Sequence, residues 1–305
     1  MRCDGGAVRR WPALFLLLCS GILTAQQTSV QHDRAFWRAI AQQHYAVPNG
    51  ESASVLAHEL SSLLASPDSE LRDDLAYSIL AHWIARPNVL PPENLLLLED
   101  EWRENLKSGI GEAATDSVLK RSFSALCLAS IAEREAKQPF LGASRYRQLV
   151  ADAVAYLQAE RDLRGYDAKL GWIHATAHTA DLLQALAGSP MLSSDEQATI
   201  LSAIAARLAS APQVYIQGEQ DRIAQAVLAV IRRPDFNAES FTTWLDQMAN
   251  ADQKIWADPL TPESLARYQN HTYMLQALSV HLALEPESTK IAEFKKRVLE
   301  VLRTR

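Results

Sequence analysis

Cysteine is scarce in this 305-residue chain: only Cys3, Cys19 and Cys127 are present. No pair of them has metal-ligand spacing, which argues against a zinc ribbon or finger. Glycine (11) and proline (13) are also few. That composition argues against long disordered stretches. There is no Gly-rich phosphate loop and no Gly-x-Ser-x-Gly nucleophile elbow. Basic residues are not in excess, with 30 Lys and Arg against 36 Asp and Glu and no basic stripe. Nucleic acid and anionic membrane surfaces are therefore poor partners.

What the N-terminus does contain is a targeting pattern. Arg2, Arg9 and Arg10 form a positive region, an apolar run begins at Ala13–Leu18, and Ala25 offers a small residue before Gln26. Residues 1–25 are read as a cleaved signal peptide, so the protein is expected to be exported, either periplasmic or secreted. The alternatives are an uncleaved anchor, for which about 13 apolar residues fall short of a bilayer, and a lipoprotein acylated at Cys19. Leu23 fits the cleavage site poorly, and Leu17 and Leu18 fit the acylation site poorly. Cleavage would remove three Arg and one Asp, taking the net charge from −6 to −8. It would leave Cys127 alone, in the apolar run Ala125–Ala129, as a buried small hydrophobe with no internal disulfide to form. No later segment is long enough to span a membrane, so the mature chain is expected to be soluble.

Residues 26–305 read as a single all-helical domain. Apolar residues recur at three- and four-residue spacing almost throughout, with no competing alternation. Turn signals such as Val47-Pro48-Asn49-Gly50, Arg86-Pro87-Asn88 and Gly188-Ser189-Pro190 divide the chain into about twelve helices of roughly 14 to 22 residues. Ser69, Ser193 (with Glu196) and Thr261 (before Pro262) read as helix caps. Short links make consecutive helices antiparallel neighbours, and twelve cannot share one bundle core. Stacked pairs in an α-solenoid or superhelix are expected, with an α/α toroid as the alternative. No sharp repeat period is visible, so any repeats are degenerate.

Four segments carry a family resemblance. They are Leu71-Arg72-Asp73-Asp74-Leu75-Ala76-Tyr77, Lys120-Arg121-Ser122-Phe123-Ser124-Ala125-Leu126, the run from Leu163-Arg164-Gly165-Tyr166-Asp167 through Gly171-Trp172-Ile173-His174 to His178 and Asp181-Leu182-Leu183, and Gly218-Glu219-Gln220-Asp221-Arg222. In order and content they resemble the bacterial family catalogued as domain of unknown function 2785, over roughly residues 35 to 300. The resemblance implies a helical, superhelix-like fold. It implies no reaction.

One constellation carries chemistry of its own. On a helix from about Leu170 to Leu186, His174 and His178 would lie about 40° apart and Asp181 about 20° to the other side of His174. Such a stripe suits a divalent metal such as zinc, or equally iron, completed by Asp73, Asp74, Glu219, Asp221 or His271. The zincin signature is absent, because Ala175 stands where its glutamate would be. The bland alternative is a local polar network, with His174 donating to a carbonyl and His178 to Asp181. Tyr166, Asp167 and Trp172 would form either the rim of a groove or a plug over the core. Glu219 and Asp221 suit a helix N-terminus, and Arg222 can pair with one of them or with Asp181. Adjacent Asp73 and Asp74 point about 100° apart and would not share a substrate. His32, His44, His58, His82 and His281 read as surface or rim residues.

Two functions fit. The first is a binding scaffold whose polar groove takes a protein, peptide or glycan. The second is a metal-dependent envelope hydrolase built on His174, His178 and Asp181.

Overall fold

The computed structural model describes Met1, residues 32–257 and residues 259–305. The targeting segment and its Cys19 lie outside these residues, apart from Met1 itself. Contacts divide the chain into Met1–His32 and Asp33–Arg305. The second unit holds every helix and strand among the described residues.

That unit contains twelve α-helices: α1 (Arg34–Gln42), α2 (Ala53–Leu63), α3 (Ser78–Ala85), α4 (Pro92–Asn105), α5 (Ser117–Lys137), α6 (Gly142–Ala159), α7 (Ala175–Ala187), α8 (Ser194–Ser210), α9 (Glu219–Ile231), α10 (Ala238–Gln253), α11 (Pro262–Leu284) and α12 (Thr289–Arg303). The all-α reading holds. The helices run from 8 to 23 residues, a wider range than expected. None among the described residues is long and apolar enough to cross a membrane. The only strands among them are β1 (Tyr166–Asp167) and β2 (Gly171–Trp172), an antiparallel pair that the helical periodicity concealed.

Local chemistry sets the helix starts. Ser193 accepts the Glu196 N–H while the Glu196 carboxylate accepts the Ser193 N–H, and Thr261 and Ser264 cap α11 in the same reciprocal way. Ser69 is not a cap. Asp68 accepts the Leu71 N–H at 3.1 Å instead, and residues Glu70–Tyr77 wind as a π-helix that runs into α3. The Ser78 N–H reaches back five residues to the Asp73 carbonyl. An extra residue per turn is a local distortion often found at functional sites. Here it turns Arg72 into the protein and leaves Asp73 and Tyr77 on a cavity wall.

Packing follows alternate helices. α3 packs on α5, α5 on α7, α7 on α9 and α9 on α11, while α6 packs on α8, α8 on α10 and α10 on α12. The pairs α6–α7, α8–α9 and α11–α12 join the two rows, and α4 packs on α5. Small residues line the first row: Ser122, Ser124 and Ala125 on α5, Ala177 and Ala180 on α7, and Ala224 and Ala226 on α9 are all buried. Cys127 is fully buried among them, and burial pushes its thiol well above the ordinary range. A protonated thiol in this place is a packing residue.

Candidate functional site

A cavity of about 1040 Å³ opens along the first row of helices, walled by the π-segment, α3, α5, α7 and α9. Its lining includes Asp73, Tyr77, Trp172, His174, His178, Asp181 and Arg222. The four segments that carry the family resemblance, far apart in sequence, meet around it.

The helix expected from Leu170 begins only at Ala175. Residues 166–172 are the β-hairpin instead, and His174 precedes α7 with φ 51° and ψ 31°. The wheel that placed His174, His178 and Asp181 on one helical stripe therefore fails at its first member. The left-handed region costs a non-glycine residue on the order of 1–3 kcal/mol and is found where surroundings over-determine it. They do so here. The His174 N–H donates to the Arg164 and Gly165 carbonyls, both at 3.2 Å, and its ring stacks on Trp172 with centroids 4.6 Å apart. Its Nε2 donates to the Gln217 carbonyl at 3.0 Å. Burial, outweighing the nearby Glu219 carboxylate, lowers its pKa from the ordinary value.

His178 has a sharper assignment. The hydroxyl of Ser122 donates to the Ile173 carbonyl and lies 2.8 Å from His178 Nδ1. A carbonyl can only accept, so the single hydroxyl proton is committed to Ile173. Nδ1 must then carry the imidazole proton and donate it to Ser122. Burial, reinforced by His174, pushes the His178 pKa well down, so the ring is neutral. Nε2 on the opposite ring edge keeps a lone pair. No protein donor among the described residues engages it, and the residue lines the cavity. The expected His178–Asp181 bond is absent. Ser122 itself is fully enclosed and cannot serve as a nucleophile.

Asp181 pairs with Arg222 at 2.5 Å, as one of the expected pairings had it. Its pKa is nonetheless raised, because burial outweighs the guanidinium. Asp73 is half-buried on the cavity wall, its carboxylate has no hydrogen-bond partner among the described residues, and burial raises its pKa. Asp74 is exposed and turned elsewhere, as adjacent helical residues should be. Glu219 is buried near the start of α9, accepting the Gln217 N–H at 2.9 Å and lying 3.6 Å from His174 Nε2. Asp221 bonds His281 and Gln225 at the cavity edge. Asp167 is not part of the cavity lining. Its carboxylate accepts the Lys169 and Leu170 N–H groups and shapes the hairpin turn, which holds its pKa low. His271 is far from this chemistry, buried in α11 with Nδ1 2.9 Å from both Asp252 oxygens.

These placements bear on the metal reading. Among the described residues no group of three or more His, Cys, Asp or Glu side chains could hold a metal ion. His174 Nε2 and one Asp181 oxygen already have protein partners, so the three residues share a cavity without forming a ligand set.

Arg72, one residue of the Leu71–Tyr77 segment, has an anchoring role that its sequence position does not announce. Fully buried in the π-segment, it donates to the carbonyls of Ser66 (2.7 Å), Leu170 (2.5 Å) and Trp172 (3.0 Å). Its guanidinium also lies 4.8 Å above the Phe123 ring. The hairpin is thus pinned to the π-segment, and Trp172 remains 40% exposed at the cavity mouth beside Tyr166 at 52%. Two glycines allow the close approach. A Cβ at Gly165 would sit 2.1 Å from Gln217 Oε1, and Gly171, at φ +73°, would meet Ser69 at 2.8 Å. In sequence Arg72 is marked only by its place in the Leu71–Tyr77 segment that carries the family resemblance. Ser122 is likewise marked only by its place in the Lys120–Leu126 segment.

No curated protein and no solved structure matches the chain. Residues 106–280 match the family described as "Protein of unknown function (DUF2785)", a shorter span than the 35 to 300 expected and one that excludes Leu71–Tyr77. That span covers more than half of the sequence, and the chain belongs to this family.

Proposed function

We propose that this protein is an exported binding protein whose cavity takes a hydroxyl-rich ligand, a glycan. The observation that carries the reading is Trp172. Its indole is exposed at the cavity mouth, stacked on His174 and pinned through its carbonyl by Arg72. A rigid exposed aromatic offers a flat apolar face, which suits the C–H face of a sugar ring, at low conformational cost. Below it the polar groups of His178, Asp73 and the Asp181–Arg222 pair suit hydroxyls. Large pockets with few convergent polar groups are where ligands bind. Alternate-helix packing along two rows supports the solenoid reading, which would put the cavity on a concave surface. The N-terminal charge and hydropathy pattern supports export.

Titration with a panel of neutral and charged oligosaccharides, followed by tryptophan fluorescence and calorimetry, tests the reading. Binding should be lost or weakened about tenfold or more in Trp172→Ala with the fold intact, as for removal of an aromatic anchor. Absence of binding to every glycan, or full binding by Trp172→Ala, contradicts it.

A further inference from the structure

We propose that the cavity is a trough for an extended chain, so that the glycan is a linear oligosaccharide lying parallel to the helices. This deepens the glycan reading and rests on it for the sugar. The walls run side by side in one direction. At the near end, Arg72 of the π-segment reaches the Leu170 and Trp172 carbonyls. There too, Ser122 of α5 reaches the Ile173 carbonyl just before α7, and Arg222 of α9 pairs with Asp181 of α7. At the far end, Arg233, just past α9, donates to the Ala187 and Ser189 carbonyls at the end of α7, both at 2.7 Å. Arg134, in the last turn of α5, donates to the Pro87 carbonyl beyond α3 at 3.5 Å. Between these ends the lining runs from His178 to Gly188 on α7, from Leu126 to Lys137 on α5 and from Asp221 to Arg232 on α9. At 1.5 Å per residue each span is about 15 to 17 Å, or roughly three helical turns. One hexose extends about as far as one turn, so about three fit along the trough and one more rests on Trp172 at its mouth. A single sugar would leave most of the cavity of about 1040 Å³ empty. The lining leaves a path for such a chain: Ala81, Ala129 and Ala185 keep it open, while Ser130, Gln184 and Gln225 offer uncharged donors and acceptors. Four acidic and four basic side chains line the cavity, a balance that suits a neutral chain.

The test is calorimetry of the full chain with two neutral series, β-1,4-linked glucose and N-acetylglucosamine oligomers of one to six units. In a series that binds, affinity should rise about tenfold or more from one unit to four and level off beyond. Ala185 lies about 10 Å along α7 from His178, so the indole of Ala185→Trp would block the trough and end the rise at about two units. Gln184→Ala adds no bulk and should weaken binding of the four-unit oligomer about threefold, as for the loss of one hydrogen bond. A single sugar that binds as tightly as its four-unit oligomer overturns the extended chain while the glycan reading stands. A length dependence unchanged in both variants, each with its melting transition retained, does the same. Binding by neither series overturns both.

Discussion

The Ser122 hydroxyl lies 2.8 Å from His178 Nδ1 while donating its own proton to the Ile173 carbonyl. One serine on α5 thereby fixes the tautomer of a histidine on α7 and ties both to the strand end that precedes His174. All three groups are buried, so none has water as a substitute partner.

Ser122→Ala tests that tie. It leaves the His178 Nδ1–H and the Ile173 carbonyl enclosed without partners, at about 1–3 kcal/mol each. A loss of about 2–4 kcal/mol should appear as a lowered urea midpoint with an unchanged slope. A loss under about 0.5 kcal/mol would show that the network contributes little.

Arg72 is the second anchor. Arg72→Met keeps most of the side-chain bulk but frees the Leu170 and Trp172 carbonyls. The expected cost is about 2–4 kcal/mol, with stronger quenching of Trp172 fluorescence by added acrylamide. Arg72→Lys should not rescue the hairpin, because an ammonium cannot reproduce the planar fork that reaches Ser66, Leu170 and Trp172 together. Wild-type quenching in Arg72→Met would contradict the pinned hairpin.

The two histidines make stability depend on pH. Burial lowers both folded pKa values below the ordinary 6.5. Above about pH 6.5 both rings are neutral in the folded and unfolded states. As pH falls below that, the unfolded chain takes up protons that the folded protein refuses, and stability is lost. Asp73 and Asp181 shift the other way: their raised folded pKa values give relative stabilisation as pH falls toward 3.8. Comparison with His178→Gln isolates the histidine contribution. Between pH 7.5 and 5 the melting temperature of wild type should fall more than that of the variant. Parallel curves would contradict a neutral, buried His178.

Much of this architecture is written in short-range patterns. Three- and four-residue apolar spacing and the Ser193 and Thr261 caps locate helices because they depend on immediate neighbours. The π-segment was hidden, since Leu71, Leu75 and Ile79 satisfy a helical pattern whether or not the ladder slips by one residue. The hairpin was hidden for a related reason. His174, His178 and Asp181 fall on helical spacing, yet the paired strands and the left-handed His174 decide the local backbone. His174, His178, Asp181 and Trp172 were still legible as one locality, because a turn followed by α7 keeps them close. Arg72 and Ser122 were not, because their partners lie 98 and 51 residues away. Asp167 looked like a rim residue only because its role as a turn former depends on the hairpin.

The ring-¹⁵N spectrum of His178 tests the account most directly. At neutral pH, long-range proton–nitrogen correlation should show Nδ1 protonated and Nε2 bare. A protonated Nε2, or a doubly protonated ring, would contradict the acceptor on which the site is built.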